Sequence, residues 1–215
     1  MVLLSPSICG IRRLLSICEV YAEKHGLKYN PIKSELLVFR GKNKNPSYVP
    51  PVTLSGSLLR RVTKFKYLGH IVTEDLKDDL DMERERRALA VRGNMVARRF
   101  AGCPVPVKIT LFKAYCQTFY TSSLWANHTQ KADNTLSIQY NNAFRAMLRL
   151  PPYCSASGMF ADAQTDDYFA IMRKKVASLV HRVRGSTNSI LKVFADILDG
   201  PALDRFIKLH VLHAT

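Results

Sequence analysis

The chain has 215 residues, 47% of them apolar, and carries 32 Lys plus Arg against 17 Asp plus Glu, a formal charge of +15. That apolar share excludes an intrinsically disordered chain, and no apolar run approaches the ~18 residues of a membrane-spanning helix. The basic excess predicts a polyanionic partner, nucleic acid first, with the unspecific stickiness of any basic surface as the plainer reading.

The first residues, Met1 to Ser5, form an apolar run closed by Ser5-Pro6 and read as a short strand whose hairpin partner is missing. Ser7 is placed to cap a helix, its hydroxyl accepting an otherwise orphan backbone N–H. From Ile8 to Glu23 the apolar residues Ile8, Ile11, Leu14, Leu15, Cys18 and Ala22 recur at spacings of three and four, a helical stripe. Lys24, His25 and Gly26 make its stop. Tyr29-Asn30-Pro31 is turn chemistry, because Pro31 biases Asn30 away from the helical region. Leu36 to Phe39 is then a short apolar strand.

A polar loop is expected over 41–47. Pro50-Pro51 restricts Tyr48 to Leu54 to an edge strand or an extended crossing. Ser55-Gly56-Ser57 is a turn, Leu58 to Leu68 an interrupted return strand, and His70-Ile71-Val72 extended. Between Arg40 and Lys66 there are seven Lys or Arg and no Asp or Glu. At Thr73 the composition changes, with seven acidic side chains between Glu74 and Glu85. A domain boundary is therefore expected there, giving 1–73, 74–199 and a tail at 200–215.

An acidic start and the later Arg84, Arg86, Arg87 and Arg92 suit the dipole of a helix from about Asp79 to Phe100, with Glu83 three and four residues from Arg86 and Arg87. Pro106 fits the first turn of the next helix, whose face Leu111, Phe112, Tyr115, Cys116, Phe119 and Tyr120 predicts the main core helix, running to about Trp125. After a break at Lys131 to Asn134, Leu136, Tyr140, Ala143, Phe144, Met147 and Leu148 repeat the period until Leu150-Pro151-Pro152 ends it. Residues Ser155 to Thr165 are small and polar with Phe160 as an anchor, and helices follow over Ala170 to Val183 and Ile190 to Leu198. The fold class expected is α+β, a small α/β lobe followed by a mainly α-helical domain.

Five cysteines in no C-x-x-C spacing indicate neither a zinc knuckle nor a disulfide framework, and they suit a reducing compartment. Cys9, Cys18 and Cys116 read as small core residues. Asp78, Asp79 and Asp81 lack the oxygen-rich loop of a calcium site, and Asp166-Asp167 reads as a helix start. No metal site or covalent catalytic constellation emerges.

The stretch HGLKYNPIKSELLVF resembles the end of the palm domain in reverse transcriptases of non-LTR (LINE-like) retrotransposons. In that family a helix leads to Gly-Leu, an Asn, a Lys and a strand ending in Phe. Gly26, Leu27, Asn30, Lys33 and Phe39 stand at those places, with Ser34 where Thr or Ser is usual. A second block, VTKFKYLGHIVTEDL, is similar to the Phe-x-Tyr-Leu-Gly turn after the palm, through Val62, Phe65, Tyr67, Leu68, Gly69 and Ile71. Similarity to the helical thumb continues to about Leu150 and extends to Asp199.

The resemblance implies an RNA-directed DNA polymerase. The family's catalytic Tyr-x-Asp-Asp would fall immediately before Met1, so the expectation is a fragment, inactive alone, that holds a primer–template or RNA–DNA hybrid without forming phosphodiester bonds. Magnesium would be needed only by an intact polymerase, and no cofactor is implied for this chain. Missing polymerase domains are implied partners, a membrane is not, and the expected compartment is intracellular, nucleus or cytoplasm. The alternatives are an active reverse transcriptase completed by upstream sequence, a protein-interaction module, and a degenerate element fragment.

By resemblance, Lys33 lies on the triphosphate side of the palm, where a cation offsets phosphate charge; by its residues alone it is a solvated lysine at a turn edge. Tyr67 and Gly69 belong to the primer-gripping turn, with Gly69 permitting positive φ and Tyr67 beside Lys66 suiting stacking on a nucleotide. Arg60, Arg61, Lys64, Lys66, Arg92, Arg98 and Arg99 are candidate phosphate contacts, each balanced against a solvated surface. Arg173 to Lys175 with Arg182 and Arg184 is a second basic stripe.

Overall fold

The computed structural model describes residues 1–41 and 48–198; apart from Gly41, the loop expected over 41–47 falls outside the described residues, as does the tail expected from 200. The chain is an α+β protein with seven helices and three two-stranded sheets among the described residues. It divides into two compact units, Met1–Lys77 and Asp78 onward. The division falls after Thr73 because Thr73 and Glu74 are tied back into the first unit. Glu74 N–H donates to the Thr63 carbonyl, its own carbonyl accepts from Arg40 N–H, and Thr73 Oγ1 bridges both backbone groups of Lys77.

In the first unit the helical stripe forms α1 (Ile8–Lys24), capped by Ser7, whose hydroxyl accepts from Gly10 N–H at 3.0 Å. Its end is a Schellman motif. Gly26 takes φ +64°, Leu27 N–H reaches the Ala22 carbonyl at 2.8 Å, and Gly26 N–H reaches Glu23 at 3.3 Å. Asn30 then caps a single 3-10 turn, Pro31–Lys33, through its side chain.

Strand β1 (Glu35–Leu37) pairs in parallel with β4 (Arg60–Val62). Two hairpins complete the unit, β2 (Thr53–Leu54) with β3 (Ser57–Leu58) and β5 (Lys64–Tyr67) with β6 (His70–Thr73). Both turns have two residues at positive φ, Ser55-Gly56 at +50° and +76° and Leu68-Gly69 at +46° and +86°. That is the twist a two-residue hairpin requires, which makes glycine the natural second residue. The core is small: Leu15, Val52, Leu54 and Leu59, with Leu3, Ile8, Ile11, Tyr29 and Leu36 against them. Met1 to Ser5 is not a strand. With no ladder partner its backbone stays irregular, and Leu3 alone contributes to the core. Cys9 is exposed rather than a core residue.

The second unit is built on α2 (Asp79–Arg99) and α4 (Gln130–Leu148). They come so close at Gly93 that a Cβ placed there would lie 2.8 Å from Ala143 Cβ. Helix α3 (Val105–Cys116) supplies Phe112 and Cys116. It stops at Cys116, well short of Trp125. Phe119 at φ +33° and Thr121 at +69° turn the chain into a 3-10 segment, Ser122–Leu124. Phe119 and Trp125 still bury fully, reaching the core from a loop, while Tyr115 and Tyr120 stay exposed.

The break expected at Lys131 to Asn134 is helical, because Thr129 caps α4 through its hydroxyl onto Ala132 N–H. A short helix α5 (Ala156–Asp162) inserts Phe160, and α6 (Tyr168–Arg184), capped by Asp167, supplies Tyr168, Ile171, Met172 and Val176. Helix α7 spans Ser189–Leu198.

Phe112, Phe119, Tyr140, Phe144, Phe160 and Tyr168 form one aromatic cluster with centroids 4.7–5.7 Å apart. Each such ring buried contributes roughly 1.5–3 kcal/mol, with edge contacts adding to it. The polar ends are satisfied. Gln117 Nε2 donates to Tyr140 Oη, which donates to the Asp166 carbonyl, and Tyr168 Oη donates to Asp133. Burial pushes both phenols above their ordinary pKa and holds the Cys116 thiol up at about 11.

Candidate nucleic-acid interface

The β5–β6 hairpin sorts its residues by face. Direct cross-strand partners are Lys64 with Thr73, Phe65 with Val72, Lys66 with Ile71 and Tyr67 with His70. Alternation therefore puts Lys64 and Lys66 on one face and Phe65 and Tyr67 on the other. The two lysines are exposed and have no carboxylate partner among the described residues. Tyr67, half exposed, stacks loosely toward Phe65 at 6.3 Å rather than standing beside Lys66. Gly69 holds the turn at φ +86°, the conformation its place in the sequence anticipates.

The three arginines of the basic segment, Arg40, Arg60 and Arg61, are paired with acids from outside it. Glu35, directly across the β1–β4 ladder, pairs with Arg60. Glu74 is buried and collects two guanidiniums, pairing closely with Arg40 and at 3.9 Å with Arg61. A run with no acid in the sequence is thus mixed in space. Lys33 ends its 3-10 turn, exposed, with its N–H held by Asn30.

In the second unit, Arg98 and Arg99 are exposed in the last turn of α2, where cations complement the helix dipole. Arg92 is placed differently. Its guanidinium lies 2.5 Å from Glu85, which is 1% exposed, so it belongs to an internal network. Arg84 grips Asp81 with two nitrogens at 2.7 and 3.2 Å and reaches Glu85 at 3.1 Å. Asp81, with no exposed surface, also accepts from Trp125 Nε1 at 2.8 Å and Thr121 Oγ1 at 2.9 Å.

Asp78 accepts from the N–H groups of Ala126 and Asn127, and Asp79 from Thr129. The acidic start of α2 is therefore a clasp on the 121–129 loop as well as a dipole complement. The sequence signal for it was the density of carboxylates ahead of the only tryptophan.

Glu83 pairs with Arg86 at 2.6 Å and Arg87 at 2.8 Å on the outer face. Hydrogen bonds from Arg86, then Arg87, bring its carboxyl from the ordinary 4.5 down to about 2. A depressed folded pKa stabilises the fold above the unfolded value and loses that contribution as pH falls through the folded one. Being a surface group, Glu83 is worth only ~0.3–0.5 kcal/mol per pair. We predict that Glu83→Gln lowers the urea midpoint slightly at pH 7 and that the gap from the parent narrows as pH falls below the ordinary 4.5, closing only below about pH 2. A gap independent of pH would contradict the pairing.

Among the described residues no group of three or more His, Cys, Asp or Glu converges as a metal site. The clustered carboxylates are engaged by arginine, tryptophan and backbone donors, so they do not fit the magnesium of an intact polymerase. No helix among the described residues is long and apolar enough to cross a membrane. No protein-family model matches the chain, and no curated protein or solved structure matches it either.

Proposed function

We propose that this chain binds the sugar–phosphate backbone of nucleic acid, as the C-terminal palm remnant and thumb of a non-LTR retrotransposon reverse transcriptase. It holds a primer–template, an RNA–DNA hybrid above all, and forms no phosphodiester bond itself. The nucleus or cytoplasm is the compartment this implies. The observation that carries the reading is the Lys64–Lys66 face, two exposed ammonium groups on one side of a hairpin with no internal acid to quench them. Such a face contacts phosphates and carries no base information, so binding is sequence-independent and falls steeply with salt.

The test is fluorescence anisotropy of a labelled primer–template across a salt series. Lys64→Glu with Lys66→Glu should weaken binding and reduce the salt slope by about 2, roughly 1 per lost phosphate contact. An unchanged slope, or a folded parent that ignores the hybrid at low salt, would overturn the proposal.

A second reading rests on α1. Ile17, Val20 and Tyr21, three and four apart, are 55–63% exposed. An apolar stripe of this kind suits a protein partner. Concentration-dependent self-association without nucleic acid, together with no binding to the hybrid, would transfer the function to protein interaction.

A further inference from the structure

Within the helical unit an open cleft of about 410 Å³ lies between α6 and the segment following α3. Ile171, Lys175, Ser178 and Arg182 recur on α6 at spacings of four, three and four, so one helix face forms the cleft wall. Gln117, Ser123, Lys174 and Asp166 complete the lining. The charges are unequal. Lys174 Nζ bonds both oxygens of Asp166 at 2.7 and 2.6 Å and is neutralised there. Lys175 gives one of its three N–H donors to the Thr118 carbonyl at 2.5 Å.

Arg182 bonds only the Ser178 carbonyl of its own helix, through Nε at 3.3 Å, leaving its terminal nitrogens without a carboxylate among the described residues. The cleft thus presents two cations with no ion-pair partner among the described residues, two hydroxyls and an amide, with Ile171 as the one apolar side chain in its lining.

We propose that this cleft is a phosphate-binding site, in which Arg182 and Lys175 bind the anion and Ser178 and Ser123 supply hydroxyl donors. The recognised chemistry is the phosphate group, because the lining has charge and hydroxyls but no aromatic face for a base. Burial above all holds Lys175 below the ordinary lysine pKa; Glu85 raises it in part, and Arg182, the smallest influence, lowers it. Two cations seven residues apart on one wall of the cleft repel each other, and an anion bound beside them relieves that repulsion. The cleft needs nothing from the Lys64–Lys66 hairpin and stands whether or not that hairpin meets nucleic acid.

The test is calorimetric titration of the full chain with inorganic pyrophosphate, with sodium chloride holding ionic strength constant. Saturable binding is expected. Arg182→Gln should weaken it about tenfold, as loss of a charge-assisted hydrogen bond does, and Arg182→Glu should abolish it. Arg182 is exposed, so neither variant threatens folding. Lys131→Gln removes an equal charge from an exposed position outside the cleft lining and should change little. No saturable binding, or equal weakening by Lys131→Gln and Arg182→Gln, would overturn the site. Competition identifies the source of the phosphate. Displacement of pyrophosphate by a short single-stranded oligonucleotide assigns the site to backbone phosphates, and failure to displace assigns it to a free phosphorylated molecule.

Discussion

Replacing Asp81 by alanine should destabilise the helical unit by about 3–5 kcal/mol, the cost of breaking a buried ion pair from one side. The carboxylate accepts from Arg84, Thr121 and Trp125 at once. Its loss leaves the Arg84 charge facing Glu85 alone and removes the acceptor that fixes the indole in the core. Asp81→Asn should be nearly as costly, since its amide nitrogen would meet the Arg84 donors. Trp125 is the only tryptophan in the chain, so its emission during urea unfolding reports this unit directly. The expected result is a lower midpoint with an unchanged slope, or a thermal midpoint lower by on the order of 10 °C. A loss under ~1 kcal/mol would show that the network is ornamental and that apolar packing alone holds the loop.

Asp81 also marks where sequence reading loses its grip. The stripes of α1, α4 and α6 were visible because burial of one face imposes a 3.6-residue period, and α2 was read from its acidic start and later arginines instead. Their caps, Ser7 and Asp167, were visible because hydroxyl or carboxylate chemistry precedes the stripe. The end of α3 was not. Phe119 continues the helical period from Phe112 and Cys116, yet it reaches the core from a residue at φ +33° outside the helix. Periodicity records which residues bury, not the path the backbone takes to bury them. Met1 to Ser5 fails for the opposite reason. Its composition suits a strand, but a strand exists only with a ladder partner.

The candidate interface divides in the same way. The turn at Leu68-Gly69 was anticipated through the resemblance, and Lys64, Lys66, Arg98 and Arg99 are exposed, as candidate phosphate contacts have to be. The pairing of Arg60 with Glu35, Arg61 with Glu74 and Arg92 with Glu85 was not anticipated, since the partners are 25, 13 and 7 residues away along the chain. Charge counted along a sequence overstates the free charge on a surface by the number of such long-range pairs. The Lys175–Arg182 face was visible only as an undirected basic stripe, because its cleft is made with the non-helical segment after α3.

Moving one methyl group between α2 and α4 should test their contact most sharply. A Cβ on Gly93 would meet Ala143 Cβ at 2.8 Å and Ala143 Cα at 3.6 Å. Gly93→Leu should therefore cost ~3 kcal/mol or more, since the crossing is buried on both sides and cannot admit a branched side chain. Gly93→Ala is a balance, with ~1 kcal/mol gained in helix propensity against ~1–3 kcal/mol of overpacking. Ala143→Gly forfeits about the same propensity and opens a small void. The double variant, Gly93→Ala with Ala143→Gly, keeps one methyl in the crossing and exchanges the propensities. It should return close to the parent and exceed both single variants, a coupling of ~1–3 kcal/mol visible in the Trp125 unfolding midpoint. Strict additivity would mean that α2 and α4 do not meet at this pair, and the axis on which the helical unit is built would have to lie elsewhere.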